Sequence, residues 1–412
     1  MSPTRQLSRR QVYRRRRIVV FGGFGLALAT LLYLPMTLLA PLRAAELAVT
    51  VPEEPVPAVP ELALPGYGAS AIGALGYPGV LAQSGSTEAL PMASISKVIT
   101  ALTVLEAHPL APGESGPSIT MTADDAALYT EYRARLAAVA PVRVGMQLTQ
   151  LQLMQLSLVE SASNYTMSLV GWAFESQDAY LAAARSWLSA HGLDGIVLNE
   201  PTGLDPGNRA TAAQLVELAR IALEDATLMS IVSTPSIDIP GVGSYDNRNE
   251  LLGIDGIDGI KTGTLNDFGA NLLFSADYTI GTHPITVVGV VLGGVDHDTI
   301  NADIRALLAT MQDNFTEVEV AAPGEAFAIY TSVWGDTAQA VATERVTVLT
   351  WASAPVTVDV EAEEVRIAEA GTDVGDVTFT SGPMTVSVSL ELASDLDDPG
   401  PWWRLTNPAA LF

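Results

Sequence analysis

Apolar and polar positions recur with different periods along this chain, and the changes of period mark its parts. Residues 18–42 (IVVFGGFGLALATLLYLPMTLLAPL) carry no charge. At helical rise such a run spans roughly 37 Å, enough for a tilted helix to cross a hydrocarbon core. The stretch that follows, which includes VPEEPVPAVPELALP, has the composition of an extended, semi-rigid spacer. Two strand-like runs, 68–75 and 78–83, separated by glycine and proline, predict a hairpin. In 94–107 (SISKVITALTVLEA), Ile95, Val98, Ile99, Leu102 and Leu105 fall on one stripe, the period of a helix. Further helices are predicted at 147–160, 164–175, 178–190 and 211–224, strands at 270–278 and 284–292, and a last helix near 299–313. Strands, an inserted helical block and strands again predict an α+β fold, with helices packed on an antiparallel sheet. Beyond residue 321 the helical period stops. Arg345–Trp351, Val356–Val360 and Met384–Leu392 alternate and are β-branched, which predicts an all-β C-terminal module. The expected division is a basic segment 1–17, a transmembrane anchor 18–42, a linker 43–66, an α+β domain 67–321 and a β-rich domain 322–412.

Charge sharpens this division. The 412 residues carry a formal net charge of −25, yet residues 1–17 hold seven arginines and no acid. Arginines ahead of an apolar helix stay cytoplasmic, so the rest of the chain is expected outside the membrane. Ala44-Ala45 also offers the small residues of a leader-cleavage site, with Arg43 beside them; an exported body follows from either reading. That acidic body would repel nucleic acid and anionic lipid, which leaves the N-terminal helix as the expected membrane contact. The chain has no cysteine, so disulfides, thiolate nucleophiles and thiolate metal sites are excluded.

The same chain contains two lysines, Lys97 and Lys261, each inside a short motif. A desolvated lysine can give up its proton, whereas arginine stays charged. Lys97 closes Ser94-Ile95-Ser96-Lys97, and a spacing of three on a helix puts Ser94 and Lys97 on one face. A serine hydroxyl is a weak nucleophile until a neighbouring base takes its proton. An amine with a depressed pKa can be that base. The Ser94 N–H, at a helix start, is a candidate donor to a developing oxyanion. Lys261 opens Lys261-Thr262-Gly263-Thr264. Along such an edge a peptide could pair as an added strand, with the Thr262 and Thr264 hydroxyls on a terminal carboxylate and the Thr264 N–H completing the oxyanion site.

In this order the two motifs match the signature of the penicillin-recognising serine enzymes. Met92-Ala93-Ser94-Ile95-Ser96-Lys97-Val98-Ile99-Thr100, Pro201-Thr202-Gly203-Leu204-Asp205, Asp246-Asn247-Arg248-Asn249-Glu250-Leu251-Leu252 and Asp258-Gly259-Ile260-Lys261-Thr262-Gly263 resemble the low-molecular-mass D-alanyl-D-alanine carboxypeptidases over about residues 66–321. The resemblance implies a five-stranded antiparallel sheet with a helical cluster, and hydrolysis through an acyl-serine. It also implies peptidoglycan stem peptides ending in D-Ala-D-Ala as substrate, β-lactam antibiotics as inhibitors, no metal and no cofactor. Residues 322–412 resemble the family's C-terminal β module in outline.

The middle motif departs from the family pattern, a serine followed two residues later by asparagine. This chain reads Glu160-Ser161-Ala162-Ser163-Asn164. Ser161 aligns with the shuttle serine that hands a proton to the leaving amine. Ser163 then stands where the asparagine is expected, with Asn164 one position late; both are candidate substrate contacts. Ser163 lacks the amide N–H₂ that asparagine would offer the substrate carbonyl. Two alternatives stay open: a catalytically impaired envelope protein that binds peptidoglycan, and a serine β-lactamase with Glu160 as the nearest carboxylate. His108, His191 and His283 read as isolated, and Asp296-His297-Asp298 as a solvated loop. Trp402 and Trp403 are expected against the β module.

Overall fold

The computed structural model describes residues 9–51, 61–352 and 354–412. Part of the expected basic segment (1–8) and the middle of the expected linker (52–60) lie outside the described residues. Five strands form one antiparallel sheet in the order Ile257–Leu265, Gly269–Ile280, His283–Gly294, Ala69–Ala74, Ala82–Gly85. The early hairpin joins the late strands through Ala69–Ala74, which runs from Ala69 opposite Leu292 to Ala74 opposite Val287. Alternation along His283–Gly294 feeds both faces. Val288 and Val290 enter one core with Ile95, Val98, Leu102, Leu215 and Val216. Val287 and Val291 enter the other with Ile300, Ile304 and Leu307 of the helix His297–Met311. Helices on both faces and an inserted helical block match the expected α+β class.

The inserted block holds the predicted helices as Gln150–Leu158, Ser163–Phe174, Gln177–Ala190 and Ala212–Glu224. Thr149 and Thr211 begin two of them through reciprocal capping with Gln152 and Gln214. A further helix, Ala123–Ala134, has no counterpart in the hydrophobic pattern because Tyr132 is its one buried residue. The short helix Ala226–Val232 was likewise not expected.

In the C-terminal region, Phe315–Ala321 pairs with Val346–Trp351, and a six-stranded sheet covers a core of Phe327, Tyr330, Val377, Phe379 and Leu390. Its outermost strand corrects the linker reading of 43–66: Glu46–Val49 pairs antiparallel with Ala328–Thr331. All four of its side chains are exposed, so no alternation announced the strand. The far end of that stretch is also docked. The Glu61 N–H donates to Asn314 Oδ1 at 3.2 Å, and the Ala63 N–H to Thr310 Oγ1 at 3.0 Å. Phe315 stacks edge-on with Tyr77 at 5.8 Å and with Trp351 at 4.9 Å, and Trp351 belongs to the core beneath the five-stranded sheet. The division expected at residue 321 therefore falls between elements that share a core.

Among the described residues one helix, Arg9–Leu38, is long and apolar enough to cross a membrane. It starts before the apolar run and stops short of residue 42. Ala40 and Leu42 instead pack with Leu411, against Trp334 and Trp403. The Tyr33 hydroxyl donates to Leu405 O at 2.7 Å and Arg404 Nη1 to Ala40 O at 2.7 Å, tying the helix end to the C-terminus. Trp403 meets Trp334 of the β region edge-on at 5.8 Å, as expected, while Trp402 is exposed.

Candidate active site

A backbone turn places the nucleophile. The segment Ala93–Ile95 is one tight turn that feeds the helix Ser96–Ala107. Its first residue, Ala93, adopts φ 50°, a left-handed conformation that non-glycine residues rarely take. Neighbours hold it there. The Met92 N–H donates to Asn208 O at 3.0 Å, and Asn271 Nδ2 donates to Pro91 O at 3.1 Å. Gly263 of the edge strand lies so close that a Cβ there would sit 3.0 Å from the Ala93 Cβ and 3.2 Å from the Ser94 N. The motif glycine thus lets its own strand approach the serine turn, a demand that comes from this chain as well as from any substrate.

Ser94, Ser161, Ser163, Thr262, Gly263 and Thr264 line one cavity of about 560 Å³. Lys97 and Lys261 lie buried behind its wall, at 0% and 2% exposure. Lys97 Nζ donates to Ser94 Oγ at 2.8 Å and to Thr202 O at 2.7 Å. Burial draws the Lys97 amine down to about 7; the Glu200 carboxylate opposes the shift and Arg248 reinforces it. Burial also holds Lys261 well below the usual lysine range, with the charges of Lys97 and Arg248 acting the same way. Two amines that oppose each other's protonation in a dry site shed their first proton readily. Lys261 Nζ lies 3.4 Å from Thr262 Oγ1. The strand that carries it is at the sheet's edge, where its outward N–H and C=O groups have no neighbouring strand.

Asn164 departs from the expected substrate contact. It is fully buried and spends its amide on the backbone of Ala140, accepting at 3.1 Å and donating at 3.0 Å. It follows Ser163 on a helix start and so points away from its neighbour, into the scaffold. Ser163 is the residue brought to the cavity.

Two charged residues without an assigned role in the sequence reading, Arg248 and Glu200, complete the site. Arg248 donates to Glu160 Oε1 at 2.6 Å, Oε2 at 3.3 Å and the Glu160 carbonyl at 3.0 Å. That clasp holds the turn in which Ser161 adopts φ 62°. Glu160, the carboxylate weighed for deacylation, is thereby paired. Glu200, 8% exposed, accepts from the N–H groups of Thr202 at 2.7 Å and Gly203 at 2.5 Å, and from the Thr202 hydroxyl at 2.7 Å. It thus shapes the loop whose Thr202 carbonyl receives Lys97. Arg248 lies in a stretch that resembles the family, but its partner is 88 residues away. Charge type alone offered no signal for Glu200. His297, set aside as part of a solvated loop, lines the cavity. Among the described residues no group of three His, Cys, Asp or Glu side chains could hold a metal ion.

Comparison with known proteins agrees with this geometry. A family model described as D-alanyl-D-alanine carboxypeptidase (peptidase S11) matches residues 78–295. D-alanyl-D-alanine carboxypeptidase DacA of Escherichia coli is 28% identical over 203 residues, 48% of this chain and 49% of that protein. DacC of the same organism is 25% identical over 258 residues, 62% of this chain and 63% of that protein. The chain therefore spans about half to just under two thirds of these curated relatives. The crystal structure of penicillin binding protein 5 from Haemophilus influenzae aligns with a TM-score of 0.57 at 17% identity, covering 82% of this chain and 98% of that one. That is a likeness of fold.

Proposed function

Since this chain belongs to the D-alanyl-D-alanine carboxypeptidase family, whose model covers more than half of it, we propose that it is a serine-type carboxypeptidase acting on peptidoglycan stem peptides. The observation that carries the reading is the fully buried Lys97 amine 2.8 Å from the Ser94 hydroxyl. In this mechanism neutral Lys97 takes the Ser94 proton as Oγ attacks the carbonyl between the two D-alanines. The Ser94 and Thr264 N–H groups face the developing oxyanion. As the C–N bond breaks, the departing amine receives a proton by way of Ser161 and the lysine pair. Lys261, Thr262 and Thr264 hold the terminal carboxylate, and Gly263 keeps that strand against Ser94. Water then adds to the acyl-serine and frees Ser94. β-Lactams, whose strained amide imitates the same bond, acylate Ser94. Residues 67–321 form the catalytic domain, residues 322–412 accompany it, and the helix Arg9–Leu38 anchors the chain with its body outside the cell membrane.

The test is direct. The full chain in detergent, incubated with a fluorescent penicillin, should gain one adduct by intact mass on the peptide containing Ser94. It should also release D-alanine from a peptide ending in D-Ala-D-Ala. An adduct without D-alanine release favours the impaired peptidoglycan-binding protein, for which Ser163 is the motive. Rapid loss of the adduct favours the β-lactamase. No adduct removes the enzyme reading.

Ser163 supplies a graded prediction. Ser163→Asn adds an amide donor at the cavity wall, worth roughly 0.5–1.5 kcal/mol as one hydrogen bond. kcat/KM for the D-Ala-D-Ala peptide should rise about two- to tenfold. Unchanged kinetics would mean that residue 163 does not contact the substrate.

A further inference from the structure

His297 is the first residue of the helix His297–Met311, and it lines the cavity that holds Ser94, Ser161 and Thr262. Its Nε2 lies 2.8 Å from Thr264 Oγ1. The scaffold sets this pose. Asp296 caps the helix by accepting from the Thr299 N–H at 2.8 Å, and Ile300, Ile304 and Leu307 lock the helix onto the sheet. The Gly293 N–H donates to Asn271 Oδ1 at 2.9 Å, fixing the chain as it leaves the sheet. The run Asp296-His297-Asp298 is thus a helix cap that delivers an imidazole to the Lys-Thr-Gly-Thr strand.

The consequence lies in the direction of one hydrogen bond. A threonine hydroxyl has a single proton. If Thr264 gives that proton to Nε2, it meets an incoming carboxylate with lone pairs alone. If Nε2 carries the proton and donates to Oγ1, the Thr264 proton is free to turn into the cavity. Neutral imidazole exists in either tautomer. A carboxylate in the cavity favours the second, because that one offers it a donor.

We propose that His297 is a positioning residue for recognition of the substrate's free terminal carboxylate, its Nε2–H holding the Thr264 hydroxyl as a donor toward that group. The inference rests on the carboxypeptidase reading of this site and adds the residue that sets its preference for a free C-terminus. The experiment compares acylation of the full chain by benzylpenicillin, which has the carboxylate, and by benzylpenicillin methyl ester, which lacks it. His297→Ala and His297→Phe should lower the second-order acylation rate with benzylpenicillin roughly tenfold, the scale of one hydrogen bond serving a charged group. Both should leave the rate with the ester unchanged. His297→Gln, whose amide can donate from a similar position, should recover most of the loss. Equal slowing of both reagents would overturn the inference, since that pattern belongs to a residue that only supports the fold around Ser94. Unaltered rates with both reagents would overturn it as well. A wild-type chain that neither reagent acylates would overturn the carboxypeptidase reading, and the inference with it.

Discussion

Lys97→Arg should suppress acylation of Ser94 by roughly 10²–10⁴-fold, the range expected when a general base is lost, and so approach the complete loss expected for Ser94→Ala. Arginine keeps a positive charge and a long stem, so size and charge are largely retained while the ability to accept a proton is not. Wild-type acylation should climb with pH through the neutral range, because the Lys97 amine has to be unprotonated and burial has brought it down to about 7. Stopped-flow measurement of fluorescent penicillin uptake across pH reads both quantities. Circular dichroism of the variant checks that the helix Ser96–Ala107 survives. An arginine variant within tenfold of wild type would mean that some other group takes the Ser94 proton.

Glu200 should carry the second large effect, on stability as well as on chemistry. Its carboxylate is buried and accepts from the backbone N–H groups of Thr202, Gly203 and Asp205 and from the Thr202 hydroxyl. Glu200→Ala leaves those donors without an acceptor in a dry site, a loss on the order of 2–4 kcal/mol, and thermal unfolding should register a clear fall in midpoint. Gly203 depends on the same loop: it sits at φ 85°, pressed against the Ala93 carbonyl. Glu200→Gln separates charge from shape. The Glu200 carboxylate acts to raise the Lys97 pKa against burial. Neutralising it lowers that pKa further, so the acid limb of the acylation profile should move to lower pH. A limb that stays put or moves upward would show that Glu200 does not act electrostatically on the base.

Much of this arrangement was written locally. A serine and a lysine three apart face the same way on any helix, so the Ser94–Lys97 pair needed no fold to be recognised. The stripe of Ile95, Val98, Ile99, Leu102 and Leu105 called for burial of one side, and all five are buried. The β-branched run at 284–292 called for a strand, as His283–Gly294 is; that both its faces are covered came from the fold. Where a local rule was lacking the reading stopped short. Glu46–Val49 became a strand because Ala328–Thr331 offered an open edge, although its own residues show no alternation. Asn164 sits one residue from Ser163, yet a helix start sends one into the scaffold and the other to the cavity.

By itself the amino-acid sequence determined the chemistry available: one serine–lysine turn, a second lysine in a Lys-Thr-Gly-Thr motif, no cysteine and an apolar N-terminal run. These follow from residue type and from spacings within one turn or one strand, where geometry is the same in every protein. Only the tertiary structure decided how that chemistry is tuned. Burial brings Lys97 down to about 7, Arg248 reaches back 88 residues to clasp Glu160, and His297 lands on Thr264 from 33 residues away. Desolvation and charge pairing depend on what the closed chain packs around a group, and no short stretch of sequence contains that information.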